Sequence, residues 1–180
     1  MKVAFVGSFS TGKTTMANLM AREWDLPLLP EAAREVAQLG FPLDTTATAE
    51  TETLIFLKTM RAEMTHSAFV ADRSMFDVLC YADWVMEHER EPRKEDHLWL
   101  EAREIATLDL RARYDFVFYL PIEFPIVLDG LRPDDAAFQA DIDHRMVTLL
   151  RDHDIEFHTL TGTVDDRRRL ADKLTGNGRR

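Results

Sequence analysis

The sequence has 180 residues, of which 46% are hydrophobic, and a formal net charge of −10. This length suits one domain with a sizeable core and is too short for two ordinary domains. The negative charge disfavours nonspecific binding to nucleic acid and anionic membranes, and no apolar run is long enough to span a bilayer. Cys80 is the single cysteine, so no internal disulfide can form, and the first predicted strand leaves no room for a signal peptide. We therefore expect a cytoplasmic protein.

The chain begins with a phosphate-binding motif, the P-loop of residues 7–14. These residues match the pattern G-x-x-x-x-G-K-[ST], after an apolar strand at residues 3–6 and before a helix at residues 15–21. In this context backbone N–H groups and the helix dipole attract phosphate, Lys13 contacts the β- and γ-phosphates, and the Thr14 hydroxyl binds Mg²⁺. The pattern predicts an ATP site formed by Gly7, Ser8, Phe9, Ser10, Thr11, Gly12, Lys13, Thr14 and Thr15.

Strands and helices are predicted to alternate along the rest of the chain. Together with the P-loop, this alternation favours an α/β P-loop NTPase fold, a mainly parallel five-stranded sheet with helices on both faces. We expect one kinase-like domain at residues 1–174 and a disordered tail at residues 175–180. The later predicted strands are residues 26–29, 68–71, 114–120 and 155–160, and the later helices are residues 31–39, 49–64, 75–86, 97–112, 135–152 and 164–174.

Glu31 and Arg34, which follow the second strand, are candidates because ligands bind at the carboxyl ends of strands in an open parallel sheet. They are three residues apart and so share one helix face. A glutamate here can accept a proton from an attacking hydroxyl, and an arginine can hold substrate or phosphate. The alternative is a first-turn glutamate that the helix dipole favours, paired with an arginine.

Asp72 and Arg73 follow the third strand. A carboxylate that ends an apolar strand opposite a P-loop can hold a water of the Mg²⁺ shell, and an N-cap role for Asp72 is compatible with this. Arg73 is predicted to contact the transferring phosphate or the acceptor, with an exposed surface ion pair as the alternative. After the fourth strand, Arg132 lies beside a glycine in a loop that we expect to close over the nucleotide.

Tyr81 lies with Phe76 and Trp84 along one predicted helix near the supposed site. Aromatic residues at helical spacing are more often part of the core than of a base-stacking wall, and we favour the core interpretation.

Four segments together resemble a known family, namely residues 7–14, residues 30–34, residues 71–74 with Tyr81, and residues 129–132. In this combination the chain resembles small P-loop kinases of the nicotinamide riboside kinase type. It is also similar to deoxyribonucleoside kinases, in which a catalytic glutamate follows the second strand and a Glu-Arg-Ser triplet follows the third. Here that triplet is Asp72-Arg73-Ser74, and at this point the chain also resembles thymidylate kinases, whose acceptor is already a phosphate.

The resemblance implies roles for the candidate residues, with ATP and Mg²⁺ as cofactors. Thr14 and Asp72 serve the metal, although the aspartate in place of glutamate leaves open which of Glu31 and Asp72 acts as the base. The implied catalytic residues are Lys13, Glu31, Asp72, Arg73 and Arg132, and the implied substrate-binding residues are Glu31, Arg34, Arg73 and Tyr81.

We predict an ATP-dependent kinase that moves the γ-phosphoryl group in line to a hydroxyl of a nucleoside or similar small metabolite. One alternative is a nucleoside monophosphate kinase, in which Arg34 and Arg73 clamp the acceptor phosphate. A kinase of a polynucleotide hydroxyl needs a local basic groove, which the net charge disfavours. A regulatory ATPase without a small-molecule acceptor is the alternative from another class. A GTPase is excluded because the sequence contains neither N-K-x-D nor D-x-x-G.

Overall fold

The computed structural model describes residues 1–88, 95–126 and 134–177, with the backbone alone at residues 95 and 96. Within these ranges no helix is both long enough and apolar enough to cross a membrane. Arg132, the predicted lid arginine, lies outside the described residues. The tail predicted at residues 175–180 is described only to residue 177, and its first residue still belongs to a helix.

Five parallel strands form the central sheet, in the order β2-β3-β1-β4-β5. This confirms the predicted α/β fold. Strand β1 is central, and its Phe5 lies opposite Asp72 on one neighbour and Phe118 on the other. The outer strands are shorter than predicted because each pairs along one side only, over two residues. The strands are β1 (Lys2–Val6), β2 (Leu28–Leu29), β3 (Phe69–Asp72), β4 (Phe116–Tyr119) and β5 (His158–Thr159).

Helices cover both faces of the sheet. Val3 and Phe5 of β1 are buried on one face against Met16 and Met20, whereas Ala4 of β1 packs into the larger cluster on the other face. The first face carries α1 (Lys13–Glu23) and α7 (Val164–Thr175). The other carries α2 (Ala32–Gln38), α3 (Ala49–Thr65), α4 (Met75–His88), α5 (Glu95–Thr107) and α6 (Ala136–Asp152).

The helix predicted at residues 97–112 is wrong in its last part. Helix α5 ends at Thr107, and a separate 3₁₀ turn follows at Leu110–Ala112. This turn buries Leu110 in the core, and just beyond it Arg113 lies 2.9 Å from the buried carboxylate of Glu63 on α3. Both contacts are long-range, so the hydrophobic periodicity of the sequence carries no signal of the break.

The chain leaves the carboxyl ends of β1, β2 and β3 at one edge of the sheet, where the P-loop, α2 and α4 begin. Glu31 occupies the N-cap position of α2, but its side chain makes no capping hydrogen bond to that helix. At the same edge Arg73, immediately after β3, has a φ of 71°. A non-glycine residue in this left-handed region carries strain of about 1–3 kcal/mol, which surrounding contacts must offset.

Candidate active site

The P-loop has the backbone conformation that requires its two glycines. Gly7 has a φ of 139°, and a Cβ there would collide with the carbonyl oxygen of Leu120. Gly12 has a φ of 91° at the N-cap of α1. The Lys13 ammonium donates hydrogen bonds to the carbonyl oxygens of Gly7, at 2.7 Å, and of Ser8. Burial is the main cause that lowers the pKa of Lys13 to about 8, and the guanidinium of Arg73 acts in the same direction.

Two distant helices hold the P-loop in place. From α6, the Gln139 side chain donates to the carbonyl oxygen of Phe9 at 2.7 Å. From α7, Arg167 donates to the carbonyl oxygen of Thr11 at 2.7 Å and pairs with Glu123 at 2.6 Å. The sequence analysis missed both supports. For Arg167 a signal existed, because it lies four residues before the buried Ala171 and therefore on the inner face of α7.

A cavity of about 520 Å³ opens above the P-loop, and we call it the P-loop cavity. Its wall combines the P-loop with side chains that follow the carboxyl ends of β2 and β3, and with residues in and near α7. It is lined by residues 9–16 together with Glu31, Arg34, Arg73, Phe124, Gly162, Val164 and Arg167.

Asp72 and Thr14 lie together beside the P-loop. The Thr14 hydroxyl lies close enough to the Asp72 carboxylate to favour its charged form, and Oδ1 of Asp72 is buried and has no hydrogen-bond partner among the described residues. Burial raises the pKa of Asp72, while Thr14 and Lys13 oppose the rise. An unpartnered carboxylate oxygen next to a hydroxyl is a hard oxygen donor set of the kind that Mg²⁺ prefers. The pair therefore fits a magnesium ion bound jointly by protein and phosphates.

No group of three or more His, Cys, Asp or Glu side chains that could hold a metal occurs in the described part of the chain. A magnesium ion in a phosphoryl-transfer enzyme keeps several waters and uses substrate phosphates as ligands, so it needs only a small set of protein donors.

Glu31 joins two arginines. Its side chain is 3% exposed, and the carboxylate lies 2.9 Å from Nε of Arg73 through Oε1 and 3.2 Å from Nε of Arg34 through Oε2. The Arg73 side chain is 11% exposed, so the interpretation of Arg73 as an exposed surface pair is wrong. Arg73 also lies over the ring of Tyr81, at 4.5 Å from Cζ to the ring centroid, and its Nη2 donates to the Tyr81 hydroxyl at 3.3 Å. These contacts hold the guanidinium in one position.

A second cavity, of about 250 Å³, also has Glu31 and Arg73 in its wall. We call it the α3 cavity, because α3 supplies much of its wall opposite α2 and α4. Tyr81 lines it and is also buried in a cluster with Phe9, Phe138 and Ile142. Phe76 is fully buried in the larger core cluster, so both residues belong to the core, as favoured from the sequence. Glu31 and Arg73 line both cavities, so a group bound in one can meet a group bound in the other at these two side chains.

The α3 cavity contains buried carboxyl groups that the sequence analysis missed. Asp44, Glu52 and Asp77 all line it and are buried. Burial raises the pKa of Glu52 to about 8, with Asp44 acting in the same direction and Arg73 against it. Asp77 also supports the start of α4, because its Oδ2 accepts a hydrogen bond from the backbone N–H of Ser74 at 2.9 Å. Only the packing of α3 on α4 brings these groups to one cavity.

The all-parallel sheet with the P-loop between β1 and α1 defines this protein as a P-loop NTPase of the α/β class. A family model described as an AAA domain matches residues 2–167, and the chain belongs to that family. The sequence matches none of the curated proteins significantly.

Solved structures of two kinases and of NadR share this fold. Deoxyadenosine kinase from M. mycoides, with dCMP and dCDP bound, is 11% identical with a TM-score of 0.71, covering 98% of this chain and 99% of that one. NadR in complex with NR is 18% identical with a TM-score of 0.72, covering 97% of this chain and 48% of that one. Thymidylate kinase from Ehrlichia chaffeensis is 14% identical with a TM-score of 0.62, covering 97% and 98%.

At these identities the likeness establishes the fold. It confirms the resemblance to P-loop kinases that the motifs predicted, and the chain spans about half the length of NadR.

Proposed function

We propose that this protein is an ATP-dependent kinase that transfers the γ-phosphoryl group to a hydroxyl of a nucleoside or similar small metabolite. The observation that carries the proposal is the pair of cavities with Glu31 and Arg73 in common. Phosphoryl transfer needs a donor and an acceptor that meet in line, and catalysis is mostly positioning and charge stabilisation. A regulatory ATPase without an acceptor has no use for the α3 cavity.

On the donor side, the P-loop holds the triphosphate of ATP. Backbone N–H groups at the start of α1 and the Lys13 ammonium attract the β- and γ-phosphates. Because burial lowers the pKa of Lys13 to about 8, a bound triphosphate also favours the charged form of this lysine. Thr14 and Asp72 would hold Mg²⁺, which neutralises phosphate charge when bound.

On the acceptor side, Glu31 orients the attacking hydroxyl. A carboxylate between two guanidinium groups is a weak proton acceptor but a well-positioned hydrogen-bond acceptor. A loose transition state places little demand on a strong base, so orientation suffices. Arg73, fixed by Glu31 and Tyr81, places positive charge where the two cavities meet and stabilises the transferring group.

The charge of the α3 cavity favours a hydroxyl acceptor over a phosphate acceptor. Its lining residues include six with carboxyl groups and three with basic groups. Arg73 already contacts Glu31, and Lys58 pairs with Glu35 at 2.8 Å. Burial raises the pKa of Glu52 to about 8 and leaves it largely uncharged, but the other five carboxyl groups still outnumber the three basic groups. A monophosphate would therefore meet like charge in this cavity, which disfavours its binding. The small volume of the cavity also suits a single metabolite rather than a polynucleotide strand.

The ligands of the structural neighbours support this proposal without fixing the acceptor. Those structures contain dCMP and dCDP in deoxyadenosine kinase, NR in NadR, and AMP-PNP with NAD in a further NadR complex. All are nucleosides, nucleotides or nucleotide analogues. A cytoplasmic location, where ATP is available, is part of the proposal.

The proposal is tested by comparing each nucleoside with its own 5′-monophosphate as acceptor. We expect kcat/KM to be at least about 100-fold higher for the nucleoside, because the monophosphate must enter an acidic cavity. ADP release with Mg²⁺ and ATP measures both rates under the same conditions. A preference for monophosphates would contradict the hydroxyl-kinase proposal and assign Arg34 and Arg73 to an acceptor phosphate.

A further inference from the structure

Glu52 is a buried residue whose carboxyl group is not fully hydrogen-bonded within the described part of the chain. It lies in the first turn of α3, is 2% exposed and lines the α3 cavity. Its Oε2 has no hydrogen-bond partner among the described residues. An unpartnered buried polar group destabilises the folded state, so such a group is retained at a cost.

Glu52 does not serve the helix in which it lies. The N-cap of α3 is Thr48, whose hydroxyl accepts a hydrogen bond from the backbone N–H of Thr51. Thr48 therefore already supplies the side-chain cap of this helix. The unmatched oxygen of Glu52 is better explained by a group that enters the cavity than by a role in the fold.

The chemical state of Glu52 limits what that group can be. The main cause of its raised pKa is burial, so at neutral pH the carboxyl is largely uncharged. An uncharged carboxyl presents one O–H donor next to one carbonyl acceptor. This pair is complementary to an adjacent acceptor and donor, as found in an amide or amidine edge of a nucleobase.

A second carboxyl oxygen in the same cavity also lacks a partner. The Oδ2 atom of Asp77 accepts hydrogen bonds from the backbone N–H and the hydroxyl of Ser74, at 2.9 and 3.1 Å, but Oδ1 of Asp77 is buried and unpartnered. Two unmatched carboxyl oxygens in one cavity wall indicate a polar ligand that both donates and accepts hydrogen bonds, and not an apolar one.

We propose that Glu52 is a specificity-determining residue of the α3 cavity, and that its carboxyl forms a paired hydrogen bond with an adjacent donor and acceptor on the base of the acceptor nucleoside. This inference rests on the proposed kinase function. Preferred acceptors then carry an amino group next to a ring nitrogen or an equivalent amide edge. Analogues that lack the exocyclic group leave one of the two hydrogen bonds of the Glu52 carboxyl unformed and are poor acceptors.

Matched acceptors that differ by one amino group test this inference, namely adenosine against purine riboside and cytidine against 2-pyrimidinone riboside. For at least one pair, the wild type is expected to show a KM about 10- to 100-fold lower for the amino compound. In E52L this preference falls to about one, whereas E52Q keeps most of it because an amide also offers a donor beside an acceptor. The control E50L removes an exposed carboxylate from the same helix turn and keeps the wild-type preference.

Thermal unfolding of the same variants without ligand gives a second readout. E52L is expected to raise Tm by about 2–6 °C, since it replaces a half-matched buried carboxyl by an apolar group of similar size. A lower Tm would identify Glu52 as a structural group and overturn the inference. The inference about Glu52 would also be overturned if E52L kept the wild-type preference for the amino compound, or if E52Q lost that preference as fully as E52L. Either result would leave the proposed kinase function in place. A wild type that phosphorylates no nucleoside overturns both.

Discussion

Changing Glu31 to glutamine is expected to lower kcat by about 100-fold while ATP affinity stays within a few-fold of the wild type. Glu31 lies between the P-loop cavity and the α3 cavity and is the carboxylate that both cavities share. Glutamine preserves the shape of the side chain but removes the charge that holds Arg34 and Arg73 and orients the acceptor hydroxyl. Single-turnover transfer at saturating acceptor measures the loss, and nucleotide titration measures ATP affinity.

The matched control for E31Q is E23Q, which changes an exposed glutamate at the end of α1 and is expected to leave kcat unchanged. A wild-type kcat in E31Q would remove Glu31 from the reaction. Parallel losses of ATP affinity and kcat would show that Glu31 supports the P-loop cavity instead of the acceptor.

Changing Arg73 to alanine is expected to lower kcat by about 1,000-fold or more, in the range seen when a transition-state arginine is removed. The R73A variant also leaves Glu31 with Arg34 as its remaining ion-pair partner in this cluster, and breaking a buried ion pair costs about 3–5 kcal/mol of folding stability. The R73K variant separates these effects, because lysine keeps the charge but loses the planar contact with Tyr81. We expect R73K to unfold nearer the wild-type temperature and yet remain a slow enzyme.

Arg34 provides the comparison for Arg73. Its side chain is 43% exposed, so its charge is better screened by solvent, and R34A is expected to lower kcat by no more than about 10-fold. Turnover and thermal unfolding of R34A, R73A and R73K, measured together, rank the two arginines. A larger loss in R34A than in R73A would contradict the assignment of Arg73 to the transition state.

Local signals in the sequence were sufficient to predict the framework of the site. The P-loop was predicted from two glycines, a lysine and a threonine at fixed spacing, and in the structure both glycines have positive φ angles. The pairing of Glu31 with Arg34 follows from a three-residue spacing on one helix, and the structure has that ion pair at 3.2 Å. The alternation of strands and helices likewise predicted the parallel sheet. Each of these signals spans only a few neighbouring residues.

The parts that the sequence did not predict depend on residues far apart in the chain. Arg167 meets the P-loop at Thr11 across 156 positions, and Glu52 faces a cavity whose far wall comes from α4. The burial of Arg73 against Tyr81 also needs β3 and α4 to be packed before it can be seen. Charged residues are usually exposed, so residue type alone predicts a solvent-exposed position for Arg73, Glu52 and Arg167, whereas the structure buries all three.

The central claim, that donor and acceptor meet between two cavities, is tested most directly with ATP that carries ¹⁸O in its γ-phosphoryl group. The wild-type protein is incubated with this ATP, Mg²⁺ and a nucleoside panel, and the products are weighed by mass spectrometry. We predict a nucleoside that is heavier by one labelled phosphoryl group, with ADP formed in equal amount. Label found only in inorganic phosphate would contradict the claim and identify the protein as an ATPase.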